Sequence, residues 1–133
     1  MKRDPTDPKT WLTRAKSNLR LAELGRRHPD ILFDDLCFDA AQAAEKALKS
    51  MCVYLGIPFP KTHSLVHLMD LIEDSGFTIP EVVKEADVLT RYAVAARYPG
   101  LEEEVNETEY RRVMDLARRV VEWAEKFIYK EEK

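Results

Sequence analysis

The chain has 133 residues, of which 45% are hydrophobic and 34% are charged, and its formal net charge is −3 at pH 7. This length suits one domain, and the high charge argues against a membrane protein. No stretch approaches the roughly 18 apolar residues of a membrane helix, and none behind Met1 resembles a signal segment. We therefore expect a single cytoplasmic domain over residues 1–133 without a membrane partner.

The negative net charge also limits how the chain can bind nucleic acid. A free-standing nucleic-acid-binding protein usually carries a basic face. The sequence pI of this chain is about 5.7. Any contact with RNA must therefore be local or shared with a partner.

The cysteines and histidines predict neither a disulfide nor a metal site. Cys37 and Cys52 are 15 residues apart, which is about 22 Å along one helix and too far for a disulfide within it. Both lie in apolar surroundings and are interpreted as small core residues. His63 and His67 are spaced to share a helix face, but no third ligand accompanies them. We predict no metal and no cofactor.

The first helix is predicted over residues 8 to 25. Asp7 provides a capping side chain, Pro8 suits the first helical position, and Gly25 provides a stop. Apolar residues between them recur at helical spacing.

The second helix is predicted to follow Asp30 as its cap and to end at Gly56, about 25 residues later. Five of its residues are alanines, which allow close approach of a neighbouring helix; they are Ala40, Ala41, Ala43, Ala44 and Ala47. This helix offers more apolar surface than a small bundle needs, which predicts a homodimer.

Two shorter helices are predicted next. Thr62 is placed to cap a third helix that closes at Gly76. A fourth helix is predicted to begin at Thr78, with Pro80 in its first turn, and to run as far as residues 99–100, which are Pro and Gly.

The last helix is predicted to follow Asn106, because Asn106 with Glu109 three residues later forms a capping-box pattern. Its arginines lie in pairs seven residues apart and are interpreted as a solvated basic stripe; they are Arg111, Arg112, Arg118 and Arg119. Since no alternating pattern predicts a strand, the fold class is all-α, an antiparallel up-and-down bundle of about five helices.

The loop that enters the third helix is a candidate phosphate site. Backbone N–H groups and the helix dipole favour an anion there. Lys61 adds a positive charge, and His63 and Ser64 add hydrogen-bond donors. The alternative is that Thr62 only caps the helix and Lys61 is solvated.

Arginines and tyrosines near the end of the fourth helix form a second candidate cluster. Arg91 and Arg97 point about 120° apart on a helix, so they suit two sides of one groove. Tyr98 beside Arg97 is placed to stack on a base while the guanidinium groups bind phosphate. The alternative is that both arginines form surface salt bridges with the abundant glutamates.

Three segments together resemble the HEPN family, named for nucleotide binding in higher eukaryotes and prokaryotes. Residues 37–49 are similar to the family's long alanine-rich helix, residues 60–65 to its entry into the next helix, and residues 96–100 to an ending common in one branch. Their order and spacing fit over about residues 8 to 130.

The resemblance implies a helical bundle that usually dimerises, often beside a minimal nucleotidyltransferase in a toxin–antitoxin pair. Catalytic members are metal-independent ribonucleases with an Arg, four to six residues, and then a His. After Arg91 the corresponding positions hold Ala96, Arg97 and Tyr98, and no other Arg has a His at that separation. A guanidinium group stays protonated at neutral pH, so it cannot act as a general base.

Three hypotheses for function follow. The first is a non-catalytic HEPN-like subunit that binds a nucleotide or RNA through Lys61, His63, Arg91, Arg97 and Tyr98, as a homodimer and as partner of a nucleotidyltransferase. The second is a ribonuclease with a variant site that uses His63 with Arg91 and Arg97. The third is a structural interaction protein without a ligand. The missing Arg–His motif favours the first over the second.

Overall fold

A computed structural model describes residues 4–93 and 104–130 of the chain, and in these two ranges it is helical without a strand. The helices are α1 (Pro8–Gly25), α2 (Phe33–Tyr54), α3 (Leu65–Asp74), α4 (Glu81–Lys84), α5 (Thr90–Ala93) and α6 (Glu107–Ile128). A 3₁₀ segment, Glu85–Leu89, joins α4 to α5. The predicted all-α bundle is confirmed, with α4, the 3₁₀ segment and α5 in place of its fourth helix.

Helix α2 lies at the centre of the bundle and packs against both long helices, α1 and α6. All five of its alanines between positions 40 and 47 are fully buried. The alanine face is therefore covered within the chain itself, because small side chains let the neighbouring helices approach closely. The five alanines therefore give no support to the predicted homodimer, which stays a prediction.

Two of the predicted helix caps are confirmed by their hydrogen bonds. The Asp7 carboxylate accepts from the backbone N–H of Lys9 at 2.9 Å. The Asn106 side-chain oxygen accepts from the backbone N–H of Glu109 at 2.8 Å. Such bonds satisfy donors that have no partner inside the helix.

The caps predicted for the second and third helices were wrong. Helix α2 begins at Phe33, and Leu32 rather than Asp30 occupies the cap position, without a side-chain hydrogen bond. Helix α3 is capped by Ser64, whose hydroxyl accepts from the backbone N–H of His67 at 3.2 Å. Several polar residues precede each helix, and only the packing of the chain selects which of them starts it.

The predicted fourth helix begins later than expected and is not continuous. Its first α-helical residue is Glu81, which follows Pro80 rather than Thr78. The 3₁₀ segment then buries Ala86 and Leu89. These two residues are three apart, and a 3₁₀ helix with three residues per turn places them on one face. The predicted end of this helix at residues 99–100 lies outside the described residues.

Gly25 ends α1 for a reason that differs from the predicted stop. A Cβ atom at this position would lie 2.3 Å from Cδ2 of Leu36. The following residue, Arg26, has φ −58°, so the chain leaves the helix without a left-handed turn. Glycine therefore permits the close approach of α1 to α2 here, whereas Gly56 after α2 has φ 73° and makes a left-handed turn.

Over the ranges that the structure describes, every helix is too short or too polar to cross a membrane.

Candidate functional site

A hydrogen bond joins the start of α3 to the start of α5. The backbone N–H of Leu65 donates to the Thr90 hydroxyl at 3.0 Å. Lys61 and His63 precede Leu65 in the loop, and Arg91 follows Thr90 directly. The loop and Arg91 thus reach the same part of the bundle from segments that are far apart in sequence.

Three of the backbone N–H groups at the entry to α3 already have partners. The N–H of Ser64 donates to the Thr62 hydroxyl at 3.1 Å. The N–H groups of Leu65 and His67 donate to the hydroxyls of Thr90 and Ser64. Binding of a phosphate here therefore depends on side chains more than on the helix terminus.

His63 lies in the loop before α3 and not on the helix, so it does not share a helix face with His67. Its Nδ1 lies 3.0 Å from Oε1 of Glu45, while 64% of its side chain is exposed. The bond to a carboxylate selects the tautomer with hydrogen on Nδ1. In that tautomer Nε2 is a hydrogen-bond acceptor.

Glu45 is buried in α2 and also pairs with Lys49, whose Nζ lies 2.9 Å from Oε2. The Lys49 ammonium lies 5.7 Å from the ring centre of Trp11 and 5.9 Å from that of Phe59. We call these five residues the Glu45 cluster: Trp11, Glu45, Lys49, Phe59 and His63. Both carboxylate oxygens of Glu45 are bonded, and the aromatic rings stabilise the ammonium through cation–π contacts.

Sequence reasoning missed Glu45 and Lys49 as a pair. The available signal was a Glu and a Lys four residues apart within the alanine-rich part of α2. Such a spacing places both on one helix face. In a helix that is buried on several sides, that face cannot be assumed to be solvated.

Arg91 is exposed and stacks against the neighbouring tyrosine. Its guanidinium carbon lies 5.2 Å from the ring centre of Tyr92. The Tyr92 hydroxyl donates to the Glu109 carboxylate. Burial, with this bond, raises the pKa of Tyr92 to about 12. Arg97 and Tyr98 lie outside the described residues.

The cysteines are not part of this site. Cys37 and Cys52 are both buried and do not form a disulfide, and their burial was predicted from their apolar surroundings. Burial raises the pKa of Cys52 to about 11, which keeps the thiol protonated and a weak nucleophile. In residues 4–93 and 104–130, no three His, Cys, Asp or Glu side chains are grouped closely enough to hold a metal ion.

Comparison with known proteins identifies the family. The model of the HEPN domain matches residues 8–127, which is most of the chain. The chain belongs to the HEPN family. A crystal structure of an archaeal HEPN homologue aligns with a TM-score of 0.73 and 23% identity, over 96% of this chain and 99% of the other. At that identity the match shows the shared HEPN fold alone. No curated protein matches the chain.

Membership of the HEPN family supports a nucleotide- or RNA-associated function in general terms. This HEPN sequence lacks the Arg–His spacing of the ribonucleases that it resembles, because Ala96, Arg97 and Tyr98 stand at the positions after Arg91. His63 lies two residues before Leu65, in the loop at the α3–α5 junction.

Proposed function

We propose that this HEPN protein is a non-catalytic subunit that binds a nucleotide or RNA through the phosphate groups. The hydrogen bond between Leu65 and Thr90 carries this proposal, because it brings the loop of Lys61 and His63 towards Arg91. Arg97 and Tyr98, which follow α5 in sequence and lie outside the described residues, are included in the proposed site on their residue types alone.

The charges of these side chains suit a phosphate ligand. Lys61 and Arg91 are both exposed. A guanidinium group binds phosphate oxygens in a bidentate manner, and an ammonium group adds a point charge. Because the chain as a whole is acidic, binding should be weak and should decrease with added salt.

The absence of the Arg–His motif supports a role without catalysis. Metal-independent cleavage of RNA needs a base for the 2′-hydroxyl proton and an acid for the leaving oxygen, and His suits both near neutral pH. His63, the histidine that the variant-site hypothesis uses, is bonded to Glu45.

The proposed setting is cytoplasmic, as a homodimer that partners a minimal nucleotidyltransferase in a toxin–antitoxin pair. The family resemblance supports both partners. A homodimer would have twice the monomer mass of 15.4 kDa. Sedimentation equilibrium that gives 15.4 kDa at micromolar concentration would contradict the dimer. Failure of a co-expressed neighbouring nucleotidyltransferase to copurify would contradict that partner.

Calorimetry with ribonucleoside triphosphates tests the binding site. We expect Lys61→Gln/Arg91→Gln to bind about tenfold more weakly than the wild type, since two charged contacts are lost. The matched control is Arg112→Gln/Lys126→Gln, which removes the same charge from two exposed residues of α6. Equal affinities of the two double variants would remove the proposed site. No binding by the wild type would favour a structural protein without a ligand.

One observation favours the alternative of a ribonuclease toxin with a variant site. The bond between His63 and Glu45 orients the imidazole and leaves Nε2 as an acceptor, as a general base requires. The test is cleavage of mixed RNA in the presence of a metal chelator. Cleavage that persists there and disappears in His63→Ala would overturn the non-catalytic proposal.

A further inference from the structure

A groove lies between the end of α1 and the first half of α6, with a volume of about 500 Å³. Its lining residues are mostly arginines; they are Arg20, Glu23, Leu24, Arg26, Arg27, Tyr110, Arg111, Met114 and Arg118. We call it the arginine groove. It shares no residue with the α3–α5 junction.

The carboxylates of the arginine groove are too few for its arginines. Glu23 is shared by Arg20 and Arg118, each 3.8 Å from it. Glu107, at the groove's edge, is shared in the same way by Arg26 at 2.8 Å and Arg111 at 2.6 Å. Two carboxylates thus serve four guanidinium groups.

The fifth guanidinium group of the arginine groove is that of Arg27. Arg27 is exposed and forms no ion pair with any described residue. Five positive charges therefore meet two negative ones in a chain whose net charge is −3. This local excess of positive charge attracts an anion in spite of the overall acidity.

The remaining lining residues are apolar or already bonded. Leu24 is 41% exposed and Met114 is buried. The Tyr110 hydroxyl donates to the backbone carbonyl of Ala22 at 2.7 Å, so its hydrogen is engaged within the fold. The polar contacts available to a ligand are therefore the arginines.

The spacing of the arginines indicates an extended anion. Arg111 and Arg118 are seven residues apart on α6, which is about 10.5 Å along the helix axis. Their guanidinium groups pair with different carboxylates, Glu107 and Glu23, so they occupy separate positions along the groove that a chain of phosphates can contact together. Guanidinium groups suit such a ligand because they bind phosphate oxygens in a bidentate manner.

We propose that the arginine groove is a second anion-binding site, which takes a chain of successive phosphate groups. Either the backbone of single-stranded RNA or a free oligophosphate provides this chemistry. The site stands independently of the proposed function at Lys61 and Arg91, because the two sites have no residue in common.

The test uses fluorescence anisotropy with a labelled single-stranded RNA of about 12 nucleotides, long enough to span a typical binding site, and inorganic tripolyphosphate as competitor. The variant is Arg27→Gln/Arg118→Gln, since neither side chain has a close ion pair and the fold should persist. The controls are Arg112→Gln/Lys126→Gln, with an equal charge change, and Lys61→Gln/Arg91→Gln at the other site. Thermal unfolding checks that every variant is folded.

We expect Arg27→Gln/Arg118→Gln to bind RNA about tenfold more weakly than Arg112→Gln/Lys126→Gln. The slope of log affinity against log salt should become shallower by about 1.4 if two phosphate contacts are lost from a single strand. Competition by tripolyphosphate would support the groove and show that phosphates suffice. RNA binding that the groove variant weakens, without such competition, would support it with an RNA backbone as the ligand.

Equal RNA affinity and equal tripolyphosphate competition in the groove variant and the charge control would overturn the proposal. The arginines would then form only surface salt bridges. Binding that is lost only in Lys61→Gln/Arg91→Gln would overturn the groove and leave the proposed function intact. RNA binding that is lost only in Arg27→Gln/Arg118→Gln would support the arginine groove and remove the proposed site at Lys61 and Arg91.

Discussion

The Glu45 cluster and the arginine groove use the same kinds of charged side chains in opposite surroundings. Glu45 and Lys49 pair at 2.9 Å with side chains that are 3% and 11% exposed. Arg26 and Glu107 pair at 2.8 Å with side chains that are about half exposed. Distance alone does not distinguish the two pairs, but burial does. Buried charges are committed to the fold, whereas exposed surplus charges are available to a ligand.

The difference follows from desolvation. A buried charge that loses its partner is left without water or a counter-charge, which costs about 3–5 kcal/mol. An exposed charge regains water when its partner is removed, so such pairs contribute about 0–1 kcal/mol. The comparison predicts a clear order of mutational effects.

The largest effect is expected from Glu45→Leu. This substitution leaves the Lys49 ammonium buried without a carboxylate and also frees His63. The free energy of unfolding should fall by about 3–5 kcal/mol, as measured by urea unfolding.

A second substitution separates the charge from the volume of the side chain. In Glu45→Leu/Lys49→Met the uncompensated ammonium is gone, so most of the lost stability should return. If the double variant is as unstable as Glu45→Leu, packing rather than charge dominates the Glu45 cluster and the comparison fails.

A smaller effect is expected from Tyr110→Phe at the arginine groove. The substitution removes the hydroxyl that donates to the Ala22 carbonyl and leaves that carbonyl without this donor. At pH 7 the free energy of unfolding should fall by about 1 kcal/mol. Guanidinium chloride unfolding at several pH values measures the difference.

The difference in free energy of unfolding between the wild type and Tyr110→Phe should depend on pH. Burial raises the pKa of Tyr110 above its ordinary value of 10.0 in the folded protein. The unfolded chain therefore releases this proton first, and the stability that Tyr110 contributes is lost as pH rises above 10. The difference between wild type and Tyr110→Phe should shrink over that range. A difference that grows there would show that the hydroxyl is not buried as described.

The smallest effect is expected from Arg26→Gln/Glu107→Gln. Both side chains are substantially exposed, so the free energy of unfolding should change by less than about 1 kcal/mol. Thermal unfolding at low and high salt is the measurement. A loss comparable to that of Glu45→Leu would show that the arginine groove holds structural charges, which would also weaken its proposed role in binding.

The residues of the candidate site are a prediction from residue types, and the structure adds contacts around them that the sequence did not reveal. Lys61, His63 and Arg91 stood out because cations beside helix ends suggest phosphate binding. The sequence did not reveal that Thr90 takes the Leu65 N–H or that Glu45 holds His63, since both contacts join segments separated by many residues. Arg97 and Tyr98 remain predictions outside the described residues.

The basic stripe of α6 also shows that contacts between distant segments could not be predicted from the sequence. The interpretation of a solvated face holds for three of the four arginines, since Arg119 is partly buried; the exposed ones are Arg111, Arg112 and Arg118. The fold nevertheless divides them. Arg111 and Arg118 line the arginine groove, whereas Arg112 and Arg119 pair with Glu85 on the 3₁₀ segment.

The sequence by itself determined the all-α fold, the bounds of α1 and the start of α6, because helical periodicity and capping residues act over a few neighbouring positions. Three other features were decided by the tertiary structure alone. Gly25 is needed for Leu36 to approach α1, and the fourth predicted helix is interrupted by a 3₁₀ segment. Glu45 is buried, whereas Glu107 is not. Each of these features depends on which side chain, distant in sequence, packs against the residue. Local sequence patterns do not specify that neighbour.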